Sequence, residues 1–155
     1  MDLVWRVGQV MVFRTAASPL PASRVERRVD LGPISLLGYA QEAEPAPGED
    51  LAVSLYWSAN EVPAAVYSGF LRLVDDRDQG WAQDDGPPGG ELYPTTDWRP
   101  AEVLRDRRVL HLPPDLPEGL YHLEADLYDP ATMDHLQTAD GRERSVLGFV
   151  RVGEP

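Results

Sequence analysis

The sequence predicts an all-β chain built as an antiparallel sandwich, and three observations predict it. First, apolar and polar residues alternate in short segments. Leu51, Val53, Leu55 and Trp57 share one face of a strand, and a period of two is the signature of a half-buried strand. Second, no stretch of about ten residues or more carries the apolar stripe of a helix. Third, residues 112–130 form a proline-rich corner that leads into a strand closed by Asp129-Pro130. On that strand Tyr121, Leu123, Ala125 and Leu127 alternate with His122, Glu124 and Asp126. The Gly119-x-Tyr121 pair after the corner has the form of a tyrosine corner, whose ring packs while its hydroxyl bonds upstream backbone. The fold class is therefore an immunoglobulin-like or fibronectin III-like β-sandwich of seven to nine strands.

The elements follow in order. Residues 3–14 alternate and are rich in valine and aromatics, which predicts a strand. Residues 15–24 hold Pro19 and Pro21 among small residues and read as a linker. Residues 1–24 are thus an N-terminal strand with a linker or tether, and residues 25–155 are the sandwich domain. Val25–Leu31 and Ile34–Tyr39 are short strands split by Gly32-Pro33. Pro47-Gly48 pivots the turn before the strand at Leu51. Val66–Val74 and Trp81–Gln83 are strands joined by the acidic turn from Asp75 to Gly80. Residues 84–100 are a long irregular loop, and Val103–Leu112 is a strand. Residues 131–142 are turn-rich with room for a short strand, and Val146–Val152 closes the sheet.

The totals exclude several functions. A chain of 155 residues fits one domain with a core that needs no staples. With no cysteine, neither a disulfide framework nor a thiolate metal site can form. No apolar run is long enough to span a bilayer. The net charge is −12, and all 14 basic residues are arginine. Such an acidic chain lacks the clustered positive surface that nucleic acid requires. The charge is uneven: residues 1–40 carry Arg6, Arg14, Arg24, Arg27 and Arg28, and the remainder is strongly acidic.

Each candidate for chemistry has a plainer reading. Asp75, Asp76 and Asp78 fail the EF-hand spacing: counting from Asp76, Pro87 stands at the position that needs a bidentate glutamate, so the segment reads as a hairpin turn. His111 and His122 would face each other, as two ligands of a metal, if the corner were a hairpin. If the corner crosses between sheets they part, and its length, its prolines and the Gly119-x-Tyr121 signal favour crossing. No metal site and no cofactor are expected. Asp84, Asp85, Glu91 and Asp97 are the carboxylates from which an acid–base pair on a sugar would be drawn. No nucleophile elbow, zinc-binding helix, P-loop or dinucleotide fingerprint is present, and the chain is expected not to be an enzyme. The 84–100 loop is the place to look for binding, because loops this long are often functional. Asp85, Tyr93 and Trp98 are its candidate ligand-binding residues: rings for stacking on a sugar face, an acid for its hydroxyls. The plainer reading, which is the favoured one, is that Tyr93 and Trp98 cap one end of the sandwich against Pro94 and Pro100.

Read together, several short motifs resemble a bacterial family. They are Leu36-Leu37-Gly38-Tyr39, Pro47-Gly48-Glu49-Asp50-Leu51, Leu55-Tyr56-Trp57, Asp85-Gly86-Pro87-Pro88, Tyr93-Pro94-Thr95, Trp98-Arg99-Pro100-Ala101-Glu102, Leu112-Pro113-Pro114 and Leu127-Tyr128-Asp129-Pro130-Ala131-Thr132. In this order, from about Leu31 to Val152, they resemble the C-terminal β-sandwich domain of membrane glycosyltransferase-like proteins of the dolichyl-phosphate-mannose mannosyltransferase type. The resemblance implies a non-catalytic, extracytoplasmic accessory domain attached to a membrane protein, with catalysis in the membrane portion and a glycan or a neighbouring protein as partner. A stand-alone carbohydrate-binding module and a purely structural protein-interaction domain are the alternatives. Three positions depart from the family. Arg72 stands where it often has histidine, and Ala101 and Met133 stand where glycine is common.

Overall fold

A computed structural model describes residues 3–7, 10–13, 25–142 and 144–153. The strands are β1 (Leu3–Val7), β2 (Val10–Phe13), β3 (Val25–Leu31), β4 (Ile34–Gln41), β5 (Asp50–Ala59), β6 (Ser68–Val74), β7 (Gly80–Gly86), β8 (Val103–His111), β9 (Gly119–Asp129), β10 (Asp134–His135) and β11 (Ser145–Val152). A single turn of 3-10 helix, Thr95–Asp97, interrupts the long loop.

Two antiparallel sheets make the sandwich. The first runs β1-β2-β8-β5-β4-β3, and the second runs β7-β6-β9 with β10 and β11 both paired along the far side of β9. The chain crosses between the sheets from β5 to β6, from β7 to β8 and from β8 to β9. This is the Greek-key logic of immunoglobulin-like domains. The strands number more than the seven to nine expected. The segment 3–14 is a pair of antiparallel strands rather than one, and Asp134–His135 adds a short strand opposite Tyr128 and Asp129. The predicted linker at 15–24 lies outside the described residues.

The alternation on β5 works as read. Leu51, Val53, Leu55 and Trp57 are buried and meet Leu71 and Leu73 of β6 and Leu123 and Leu127 of β9 in one core. Burying such side chains contributes roughly 1.5–3 kcal/mol each before the entropy of ordering is counted. At the opposite edge, Tyr39 of β4 lies over Gly148, which follows a bulge in β11. A Cβ at position 148 would stand 1.9 Å from the Tyr39 hydroxyl, so the close approach of the two sheets requires glycine there.

The corner crosses the sandwich. The Tyr121 hydroxyl donates to the Pro117 carbonyl at 2.5 Å while the ring is buried. The Leu112 amide donates to Glu49 O and the Gly48 amide to Pro113 O, so the corner is sewn to the β4–β5 turn. His111 and His122 consequently end on different sheets. His111 meets Asp50 at 2.7 Å and His122 meets Glu124 at 2.9 Å.

Candidate functional site

Of the three candidate binding residues, the structure keeps Tyr93 and Trp98 together and places Asp85 apart from them. Trp98 is fully buried in the core, and its indole N–H donates to the Tyr93 carbonyl at 3.1 Å. It has no face to offer a sugar. Tyr93 is half-buried, and its hydroxyl donates to the Glu102 carboxylate at 2.7 Å. Burial and that carboxylate both push the Tyr93 phenol up. The long loop therefore caps one end of the sandwich, with Thr95 buried beneath it: Thr95 donates to Ala65 O and accepts from the Tyr67 amide. The favoured capping reading agrees with this burial: the loop is long because it covers an open end of the core.

Asp85 belongs elsewhere. Strand β7 continues through Gly86, so Asp84 and Asp85 are consecutive strand residues on opposite faces. Asp84 points inward and accepts from the Val109 amide at 3.2 Å. Asp85 points outward and accepts from the Tyr128 hydroxyl at 2.9 and 3.0 Å. These two carboxylates cannot act as an acid–base pair on one bond. Asp75 is likewise engaged. Its carboxylate accepts from the amides of Arg77 and Gln79 and from the Trp81 indole, and these bonds hold it below the usual carboxylate range. The acidic turn is a hairpin turn.

The outer face of the second sheet gathers the remaining chemistry. Phe70 and Tyr128 stand 6.4 Å apart, and Tyr128 and His135 stand 5.5 Å apart between ring centroids. His135 bonds the buried Asp126 carboxylate. Further along, Glu124 takes Arg72 at 3.0 Å and His122 at 2.9 Å, with Arg144 at 3.7 Å. Burial works to raise the Glu124 carboxyl, but the His122 and Arg72 bonds and the nearby guanidinium charges hold it below its ordinary value. Beyond this network lies an apolar strip. Phe149 is 67% exposed, Leu120 58% and Val146 43%. Register places Phe149 opposite His122 and Val146 opposite Glu124, on the outer face that Leu120 also shares. The His122 ring stands edge-on to Phe149 at 6.5 Å.

Alternation in the sequence puts His122 and Glu124 in water and does not single out Phe149. The alternation of β9 and the isolated aromatic in the last strand were the signals available. Among the described residues, no group of three or more metal-ligating side chains lies together, and no helix is long and apolar enough to cross a membrane. No protein-family model matches the chain, and a search of curated proteins gives no match.

Proposed function

We propose that this chain is a non-catalytic contact domain, the extracytoplasmic accessory sandwich of a membrane glycosyltransferase-like protein, which holds a glycan or a neighbouring protein. The observation that carries the contact role is the exposed strip of Leu120, Val146 and Phe149 beside an ordered network of charges. An exposed aromatic with a polar rim is what recognition of either partner uses. The engagement of Asp75, Asp84, Asp85 and Glu102 in bonds that hold turns and strands together favours binding over catalysis.

The accessory role draws support from two departures noted in the sequence. Ala101 and Met133, which stand where the resembled family commonly has glycine, both take positive φ, 69° and 65°. That backbone is costly for any residue with a Cβ, by roughly 1–2 kcal/mol, and glycine relieves it. Ala101→Gly and Met133→Gly are each expected to stabilise the domain by up to about 1 kcal/mol, a gain of a few degrees in Tm. Calorimetry of the two variants checks this. A loss of Tm in both would remove this support.

Phe149→Ala tests the contact role. Its ring is mostly in water, so stability should change by less than about 0.5 kcal/mol. Binding of a glycan or of the membrane portion, followed by amide shifts of the labelled domain, should weaken by about tenfold. Unchanged binding would overturn the assignment of this face. The accessory reading further expects hydrophobic spans encoded in frame upstream of Met1.

A further inference from the structure

Two arginine-bearing segments of this acidic chain, far apart in sequence, meet on the open side of the sandwich. Strand β3 brings Arg27 and Arg28, and the turn before β11 brings Arg142. They line a cleft of about 400 Å³ between the edges of the two sheets, within the range of small-ligand sites of about 300–1,000 Å³. We propose that this cleft binds an anionic sugar, a uronic acid or sugar phosphate unit of a glycan. The proposal rests on the contact reading above and names the ligand class.

The chemistry of the lining points to that class. The Arg27 Nε donates to the Val146 carbonyl at 3.1 Å, a neutral acceptor. Arg28 and Arg142 lean on aspartates two residues away, Arg28 on Asp30 at 3.0 Å and Arg142 on Asp140 at 3.1 Å. All four of these side chains are more than half exposed. Exposed pairs of this kind hold weakly. A planar carboxylate or a phosphate can therefore take a guanidinium bidentately at little cost. Asp30 keeps the Ser35 hydroxyl and Asp140 keeps the Thr138 hydroxyl as donors when the guanidiniums turn to the ligand, and the remaining carboxylate lone pairs accept from ring hydroxyls. A largely polar cleft of this size suits a hydroxyl-rich ligand better than an apolar one. In a chain of net charge −12, it is also a place where an anion escapes the general repulsion.

Amide and arginine Nε–H shifts of the labelled domain test the proposal. The probes are a glucuronic acid disaccharide, glucose 1-phosphate, a neutral disaccharide and inorganic phosphate. The charged sugars should give saturable shifts confined to residues 27–30 and 138–146, with Kd below about 10 mM, and the neutral sugar should not. The two charged sugars separate a carboxylate source from a phosphate source. Arg142→Ala, which leaves the Arg27 bond to β11 intact, should weaken binding by about tenfold or more, and Arg77→Ala on the distant hairpin should not. The proposal is overturned by no saturable shift with either charged sugar, by equal binding of the neutral sugar, or by equal binding by the Arg142 variant. Inorganic phosphate shifting Arg77 and Arg151 as much as Arg27 would reduce the cleft to general charge and also overturn it. Binding of a neutral glycan at Phe149 alone would sink this proposal and keep the contact reading. The absence of any glycan or protein contact would sink both.

Discussion

Replacement of Arg108 by alanine is expected to destabilise the domain by about 3–5 kcal/mol. Arg108 is buried between the sheets. Its Nε donates to Asp106 at 2.9 Å, Nη1 to the Gly69 carbonyl at 3.1 Å and Nη2 to the Gly86 carbonyl at 2.9 Å. Asp106 also accepts from the Trp57 indole at 3.1 Å. Removing the guanidinium leaves a buried carboxylate without its counter-charge and removes the bonds to the Gly69 and Gly86 carbonyls. The pH dependence has a definite sign. Burial already pushes the Asp106 carboxyl up against the pull of Arg108, and loss of Arg108 pushes it further. A folded-state pKa above the unfolded value means that the folded state takes up a proton first as pH falls. The deficit of the alanine variant should thus be full at neutral pH and shrink in acid. Urea denaturation at two pH values measures it. Asp106→Asn combined with Arg108→Met should recover part of the loss, because it removes both charges and keeps an acceptor for Trp57. A deficit that does not change with pH would contradict the assignment to an Asp106 without its counter-charge.

Trp98→Ala is expected to cost about 3–5 kcal/mol, as removal of a fully buried indole does. The ring lies close under Gly89, whose hypothetical Cβ would meet it at 3.7 Å, and its N–H ties down Tyr93. Loss of the indole opens a cavity at one end of the core and frees the loop that covers it. A sugar platform would behave in the opposite way: little change in stability and a large loss of binding. Denaturation midpoints of the variant separate the two. A change under about 0.5 kcal/mol would return Trp98 to the surface.

These two residues also mark where sequence reading succeeds and fails. Alternation placed Trp57 and Tyr121 in the core because both stand in phase with leucines on their own strands. The same phase was present on β8, where Leu104, Asp106, Arg108 and Leu110 share the inward face. The charges of Asp106 and Arg108 interrupt its apolar pattern, so alternation by itself does not assign the face. Trp98 sits in irregular backbone, where no period exists to assign a face, so loop length was the available signal. The outer-face network failed for another reason. Arg72, His122 and Glu124 come from two strands whose pairing is set by the whole topology. The cleft at Arg27 and Arg142 depends on the approach of two sheet edges, which no local pattern encodes.

The two lateral sides of the sandwich are fastened differently, and this has a consequence for its motion. On one side Arg108 binds across to carbonyls of β6 and β7, while Asp84 of β7 accepts from the Val109 amide. On the other, Arg27 reaches the Val146 carbonyl and Tyr39 lies on Gly148. The domain is built like a book with a bound spine and a loosely clasped fore-edge. Thermal opening should begin at the fore-edge, so amides of β3 and β11 exchange with solvent through partial opening while those of β8 wait for global unfolding.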